Sequence, residues 1–218
     1  SNASVGTLAA VYAARIGLSL NEIALFASIP ILAGAACQIP VGIASDRFDR
    51  RKVLIAVTII ATLADVLFLS VAVPPPALAL AMSALFGATV FAMYPIIVAH
   101  ANDHAESGSF IQVSGGLLLV FGIGSIVGPT VAGFVMTRFG ASTLFAVTGA
   151  VHLSLILFAL LRLRIAPAVA SKDKVAFQAK PLARASTPET AALSADPEEL
   201  NADQPKRYDD DPTLRSQE

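Results

Sequence analysis

A short, densely charged stretch separates two long apolar segments: Gly42-Ile-Ala-Ser-Asp-Arg-Phe-Asp-Arg-Arg-Lys-Val-Leu54. It holds four of the eight basic residues that precede residue 166, and two acidic residues lie among them. Cytoplasmic loops of membrane proteins carry an excess of Lys and Arg. The stretch therefore predicts a cytoplasmic loop between two membrane helices, and it orients every other segment of the chain.

The composition of the first three quarters of the chain excludes a soluble domain. The chain has 218 residues, 55% of them hydrophobic, and only 14 of its 31 charged residues lie before residue 166. This part contains five nearly uncharged runs of about twenty residues, the length that crosses a bilayer as a helix. An all-α membrane bundle is predicted. The charge pattern does not indicate nucleic-acid binding, and a single cysteine, Cys37, excludes a disulfide framework.

The apolar runs and their flanking signals predict the domain organisation. Residues 1–3 resemble the remnant of a cleaved tag, and the bundle is expected over residues 4–165. Val5 to Ala14 is too short to span and is expected to be the end of a helix whose beginning is missing. Residues 166–218 are too polar to form a core and are predicted to be a disordered cytoplasmic tail. The five complete helices are expected at residues 22–44, 52–73, 77–101, 110–137 and 142–163.

The spacing within the charged stretch resembles a known signature. Gly42-x-x-x-Asp46-Arg47-x-Asp49-Arg50-Arg51 is similar to the loop motif of the major facilitator superfamily, G-x-x-x-D-R-x-G-R-R/K, with Asp49 in the place of glycine. Gly124-Ser-Ile-Val-Gly128-Pro129-Thr-Val-Ala-Gly133 resembles the glycine-proline helix motif of the same family. Tyr94-Pro95 together with residues 100–104 resembles the YcaD-like branch. The resemblance implies the C-terminal half, helices 7–12 with helix 7 truncated, of a twelve-helix transporter.

The resemblance also assigns roles to the two motifs. Asp46 is expected to face the positive end of a helix in the missing N-terminal half and to lock one access state. Arg47, Arg50 and Arg51 are expected to hold the loop through ion pairs, or to act only as topology determinants. In the second motif, the small residues permit close helix packing and the proline bends the helix; packing and motion explain it equally well. The residues concerned are Gly124, Gly128, Pro129 and Gly133.

Polar side chains within the apolar runs are candidates for function, because their burial in lipid is costly. Asp65 and His152 are candidates for coupling to a proton or cation, with a structural hydrogen bond as the alternative. Gln38, Tyr94 and Gln112 lie on helices that line the pathway in the family and are candidates for substrate contact. For Tyr94 and Gln112, a role in a gate or an interface is the alternative. His100 and His104 are one turn apart, but without a third ligand they predict no metal site.

The predicted function is secondary active transport of a small solute by alternating access, coupled to a cation or proton. The expected setting is the inner membrane, with a cytoplasmic C-terminus, a missing six-helix half as partner and no cofactor. An enzyme is not predicted, because no glycine-lysine phosphate loop or Ser/His/Asp arrangement is present. Two alternatives are a non-transporting membrane scaffold and a half-transporter that dimerises. Six helices alone are expected not to transport.

Overall fold

The computed structural model describes residues 1–71, 73–104 and 110–165. These residues form no β-strand, so the predicted all-α architecture is confirmed for this part of the chain. The six helices are α1 (Asn2–Arg15), α2 (Leu20–Arg47), α3 (Arg50–Ser70), α4 (Pro76–Asn102), α5 (Phe110–Phe139) and α6 (Thr143–Ile165). Helices α2 to α6 are long and apolar enough to cross a membrane, whereas α1 has 14 residues.

The helix ends follow from local signals in the sequence. Ser19 and Glu22 form a capping box, in which the Ser19 amide donates to the Glu22 carboxylate at 2.7 Å. Helix α3 ends at Ser70, three residues before the expected end at residue 73, ahead of the three prolines at residues 74–76. The connections after α1 and α5 use Gly17 and Gly140, whose positive φ values of 85° and 103° favour glycine.

The N-terminal segment differs from the expectation in one respect. Asn2 and Ala3, assigned to a tag remnant, continue the helix that contains Val5 to Ala14. Helix α1 packs along α5, and the Arg15 guanidinium donates to the Met136 carbonyl at 2.9 Å. The predicted tail, residues 166–218, lies outside the described residues.

Helix α4 lies at the centre of the bundle and packs against α2 on one side and α3 on the other. Helix α6 covers α3, and α1 lies between α5 and α2. The tightest crossing is between α2 and α4, where Gly87 lies against the backbone of Pro30 and Gly34 against Phe91. Outward-facing residues of α2 and α5 such as Leu32, Ile126 and Phe134 are exposed on the surface of the described bundle.

The bundle has two chemically different ends. We call the end with the α2–α3 connection the loop end. The C-terminal end of α4 lies there, where Asp103 contacts Arg50. The C-terminal end of α6 lies there as well, where the Arg162 carbonyl contacts Arg51. Towards the opposite end lies a buried aromatic cluster in which Phe68 and Phe145 stack with ring centroids 3.8 Å apart. Its members come from five helices: Tyr12, Phe26, Phe68, Phe86 and Phe145.

Candidate functional site

Arg50, the first residue of α3, joins three helices at the loop end. Its Nε donates to Asp103 Oδ2 at 2.7 Å, at the C-terminal end of α4. One of its terminal nitrogens donates to Ser45 Oγ at 2.8 Å and to Asp46 Oδ1 at 3.0 Å, both in the last turn of α2. Only 1% of the Arg50 and Asp103 side chains is exposed. The pair is therefore a buried ion pair that ties α2, α3 and α4 together.

Asp49 shows why this chain tolerates a departure from the glycine of the loop signature. Its φ is −58°, so the backbone does not need glycine there. The Asp49 carboxylate instead caps α3, accepting from the Arg51 amide at 3.0 Å and from the Arg51 guanidinium at 2.9 Å. Arg51 in turn donates to the Arg162 carbonyl at 3.1 Å. That carbonyl lies in the last turn of α6, where carbonyls lack partners within the helix.

The remaining residues of the loop signature lie nearer the surface. The Asp46 side chain is 36% exposed while it pairs with Arg50. Arg47 is exposed at the end of α2, and no ion pair joins it to another described residue. Sequence reasoning did not pick out Asp103 as the partner of Arg50. The available signal was topological, because the end of α4 must return to the side of the membrane that holds the α2–α3 loop.

A second polar cluster lies between α3 and α6, within the apolar part of the bundle. Thr148 Oγ1 donates to Asp65 Oδ1 at 2.6 Å, and His152 Nδ1 lies 2.6 Å from Asp65 Oδ2. All three residues are 1% exposed. The sequence identified Asp65 and His152 as separate candidates, and the structure brings them into one cluster. Gly149 lies beside the cluster, and a Cβ there would be in ordinary van der Waals contact with Asp65, 3.4 Å from its Cβ.

The three candidates for substrate contact do not form one site among the described residues. Gln38 is half-buried, and its amide nitrogen lies 3.5 Å from the Phe91 carbonyl on α4. Tyr94, one turn further along α4, packs on Phe121 of α5 with ring centroids 5.1 Å apart. Gln112 is exposed on α5, and no hydrogen bond within the described ranges joins it to the other two. Gln38 and Tyr94 thus lie near the contacts of α4 with α2 and α5.

The glycine-proline motif of α5 is only partly packed. A Cβ at Gly128 would lie 2.8 Å from the Ser4 hydroxyl of α1, and one at Gly133 would touch Leu8. A Cβ at Gly124 would meet nothing within 4 Å. Pro129 lies within α5, which continues through it to Phe139. In this bundle the motif contacts α1 through Gly128 and Gly133.

The Gly128 contact yields a prediction on stability. Gly128→Ala is expected to lower the free energy of unfolding by at most about 1 kcal/mol, because the new methyl group makes the buried Ser4 hydroxyl rotate away. Ser4→Ala removes that oxygen and is expected to restore most of the loss. Unfolding of the purified protein in mixed micelles measures both effects. If Gly128→Ala lost the same stability with and without Ser4→Ala, the Ser4 hydroxyl would not be the group that the new methyl group meets.

The two histidines at the loop end interact through the backbone. His104 Nδ1 lies 2.9 Å from the His100 carbonyl, and the ring centroids are 4.6 Å apart. Among the described residues, no group of three His, Cys, Asp or Glu side chains is placed to hold a metal ion. The pair therefore forms a local contact at the end of α4.

Comparisons with known proteins agree with this architecture. The family profile described as Major Facilitator Superfamily matches residues 1–197. The chain is 29% identical over 141 residues to the "Uncharacterized MFS-type transporter YcaD" of Shigella flexneri and to the protein of the same name in Escherichia coli strain K12. The aligned region covers 65% of this chain and 36% of each relative, so the chain spans about a third of the length of the curated relatives it matches. The resemblance inferred from the loop signature is confirmed: the chain belongs to the major facilitator superfamily.

Proposed function

We propose that this chain is the C-terminal six-helix half of a secondary active transporter. It moves a small solute by alternating access against an N-terminal six-helix half, with coupling to a proton or cation gradient. Family membership and the name of the matched relatives support transport as the general activity. The observation that carries the proposal is the cluster around Arg50, which joins α3 to α4 through Asp103 and to α2 through Ser45 and Asp46.

Alternating access by rocking requires each half to move as a rigid body around a midplane site. In this bundle the Arg50 cluster joins α2, α3 and α4 at one end, and Arg51 ties the end of α6 to α3. Towards the opposite end, the aromatic cluster joins α1, α2, α3, α4 and α6. Both groups of contacts oppose sliding of the helices against each other, so α1 to α4 and α6 are suited to move as one piece.

Asp46 has the exposure that a contact between the two halves requires. It lies at the loop end with about a third of its side chain accessible, while Arg50 is fully buried beneath it. In the proposed cycle, the accessible part of the carboxylate meets the N-terminal end of a helix in the other half, where unpaired amides favour a negative charge. That contact stabilises the state closed at the loop end, and its breakage opens the pathway.

The pathway is proposed along the face that carries α5, the least buried of the five long helices. Gln38 and Tyr94 lie at the contacts of α4 with its neighbours, and Gln112 is exposed on α5. They are proposed to contact the solute, with the glycines of α5 permitting close approach of the other half. The loop end and the C-terminus are proposed to be cytoplasmic, in the inner membrane, since basic residues concentrate at that end.

The proposal is tested by transport assays on the full-length protein. Proteoliposomes with an imposed pH or sodium gradient are screened with labelled small solutes, and accumulation of one class that stops when the gradient is collapsed is expected. Asp46→Asn is expected to lower that uptake by roughly fivefold or more, the size of a typical coupling between two states. The protein should retain its unfolding temperature, because the carboxylate is partly exposed.

Three outcomes would contradict the proposal. An antibody against residues 195–215 should detect a chain of about twice 22.5 kDa in native membranes, and a band near 22.5 kDa would favour the dimeric or scaffold alternatives. Full-length protein that folds in vesicles but accumulates no solute under either gradient would exclude secondary active transport. Uptake that requires ATP instead of an ion gradient would exclude it equally.

A further inference from the structure

The cluster of Asp65, Thr148 and His152 holds titratable groups where the membrane helices exclude water. Both carboxylate oxygens are engaged at 2.6 Å, one by the Thr148 hydroxyl and the other by the His152 ring. The second ring nitrogen of His152, Nε2, is buried and has no hydrogen-bond partner in the described part of the chain. Buried polar atoms are normally paired, so an unpaired ring nitrogen next to a buried carboxylate calls for an explanation.

The geometry is compatible with two charge states that differ by one proton. With the proton bound, the pair is neutral as a whole: either an aspartate beside an imidazolium, or a protonated aspartic acid beside a neutral imidazole. With the proton released, the pair has a net charge of −1 in an apolar environment. An unpaired buried charge is costly in apolar surroundings, so the two states differ in the charge that the helices around the cluster must accommodate.

The groups around the cluster supply little competing charge. Helix α4 presents the Phe86 ring, 6.0 Å from the imidazole, and α6 presents Thr148 and Gly149. Within the described ranges, the other ion pairs of the bundle lie at the loop end, so no second ion pair neutralises this carboxylate.

The neighbouring hydroxyls on α3 do not share in the cluster. Thr58 donates to the Leu54 carbonyl at 2.6 Å, and Thr62 donates to the Thr58 carbonyl at 2.8 Å. Both hydroxyls therefore bond within their own helix, whereas the Asp65 carboxylate bonds to Thr148 and His152 of α6.

We infer that Asp65, Thr148 and His152 form a binding site for one proton between α3 and α6, with His152 Nε2 as the atom through which the proton enters and leaves. Its use as the coupling site of the transporter rests on the function proposed above, whereas proton binding itself does not. A purely structural contact, sealed from solvent by the folded bundle, would keep one charge state until the helices unfold. A proton site changes its charge state while the helices stay folded.

The test is a pH titration that needs no substrate. The protein is labelled with ¹⁵N-histidine in lipid nanodiscs, and ring nitrogen signals are followed by NMR from about pH 4 to about pH 10, which spans the ordinary range of His and carboxyl titration. The chain has three histidines, so His100→Gln and His104→Gln assign His152 by elimination without disturbing the cluster. An infrared difference spectrum over the same range reports the C=O stretch of a protonated carboxyl group.

We expect a single one-proton change that involves the His152 ring and the Asp65 carboxyl group. Asp65→Asn should abolish the coupled change, in which the ring and carboxyl signals shift together, while circular dichroism stays helical. Constant His152 and carboxyl signals across the range, with the protein folded, would overturn the proton site. If that change is observed but full-length protein transports nothing, the proton site stands and the transport proposal fails. If Asp65→Asn keeps gradient-driven uptake, the site binds a proton but its coupling role is overturned.

Discussion

Asp103→Ala is expected to lower the free energy of unfolding of the bundle by about 3–5 kcal/mol. The substitution removes the carboxylate that lies 2.7 Å from Arg50 Nε, in a site where 1% of each side chain is exposed. A buried guanidinium that loses this partner keeps its desolvation cost and loses the attraction that offset it. Equilibrium unfolding in mixed micelles measures the loss, and thermal unfolding in nanodiscs provides a second reading.

Three variants separate the effect of burial from the effect of charge. Asp46→Ala removes the other carboxylate that pairs with Arg50, but its side chain is 36% exposed, so a loss of at most about 1 kcal/mol is expected. Asp103→Asn keeps an acceptor and should fall between the two. The double variant Arg50→Met with Asp103→Leu removes both charges and should cost less than Asp103→Ala alone. Equal, small losses for Asp46→Ala and Asp103→Ala would show that the buried pair does not hold α3 to α4.

Gly87→Ala is expected to have the second large effect, a loss of about 1–3 kcal/mol from overpacking. A Cβ at Gly87 would overlap the carbonyl oxygen and Cα of Pro30 on the facing helix. Because the obstacle is backbone, a change of rotamer cannot relieve it, and α2 and α4 must move apart. Since α4 is the central helix of the bundle, the separation also weakens the contact between Gln38 and Phe91. Unfolding in mixed micelles again gives the magnitude.

The matched control is Gly124→Ala on α5, the same substitution at a glycine within another membrane helix. A Cβ there meets nothing within 4 Å, so stability should change by less than about 0.5 kcal/mol. Under the proposed function, Gly124 faces the other half of the transporter, and the control variant should then impair transport while leaving the isolated bundle intact. If Gly124→Ala lowered the free energy of unfolding as much as Gly87→Ala, these glycines would stabilise the bundle for a reason other than contact between helices.

The helices themselves could be predicted from the sequence, because the signals that define them are local. Apolar runs of bilayer length, the Ser19–Glu22 capping box and the prolines at residues 74–76 each act within a few residues of where they stand. The family, too, was readable, since the loop signature is a contiguous pattern that tolerates Asp49 in place of glycine. In the structure that aspartate caps α3 at a negative φ, which a pattern comparison alone does not reveal.

The contacts between helices could not be predicted in the same way. Asp65 and His152 are 87 residues apart in the chain, and Arg50 and Asp103 are 53 apart. In a soluble helix, the boundary between polar and apolar faces shows which side turns inward. In a membrane helix lipid and core are both apolar, and that boundary is absent. The sequence therefore does not distinguish Gly87, which packs against a neighbouring helix, from Gly124, which does not.

The sequence by itself determined that this chain is a set of membrane helices and which family they belong to. These properties depend on hydropathy, capping and a contiguous motif, all of which act locally along the chain. Only the tertiary structure decided that Asp103 is the partner of Arg50, that Asp65, Thr148 and His152 share one buried cluster, and that α2 meets α4 at Gly87. The physical reason is that these contacts depend on which helix faces meet, and close packing and desolvated polar pairs select those faces across the whole bundle.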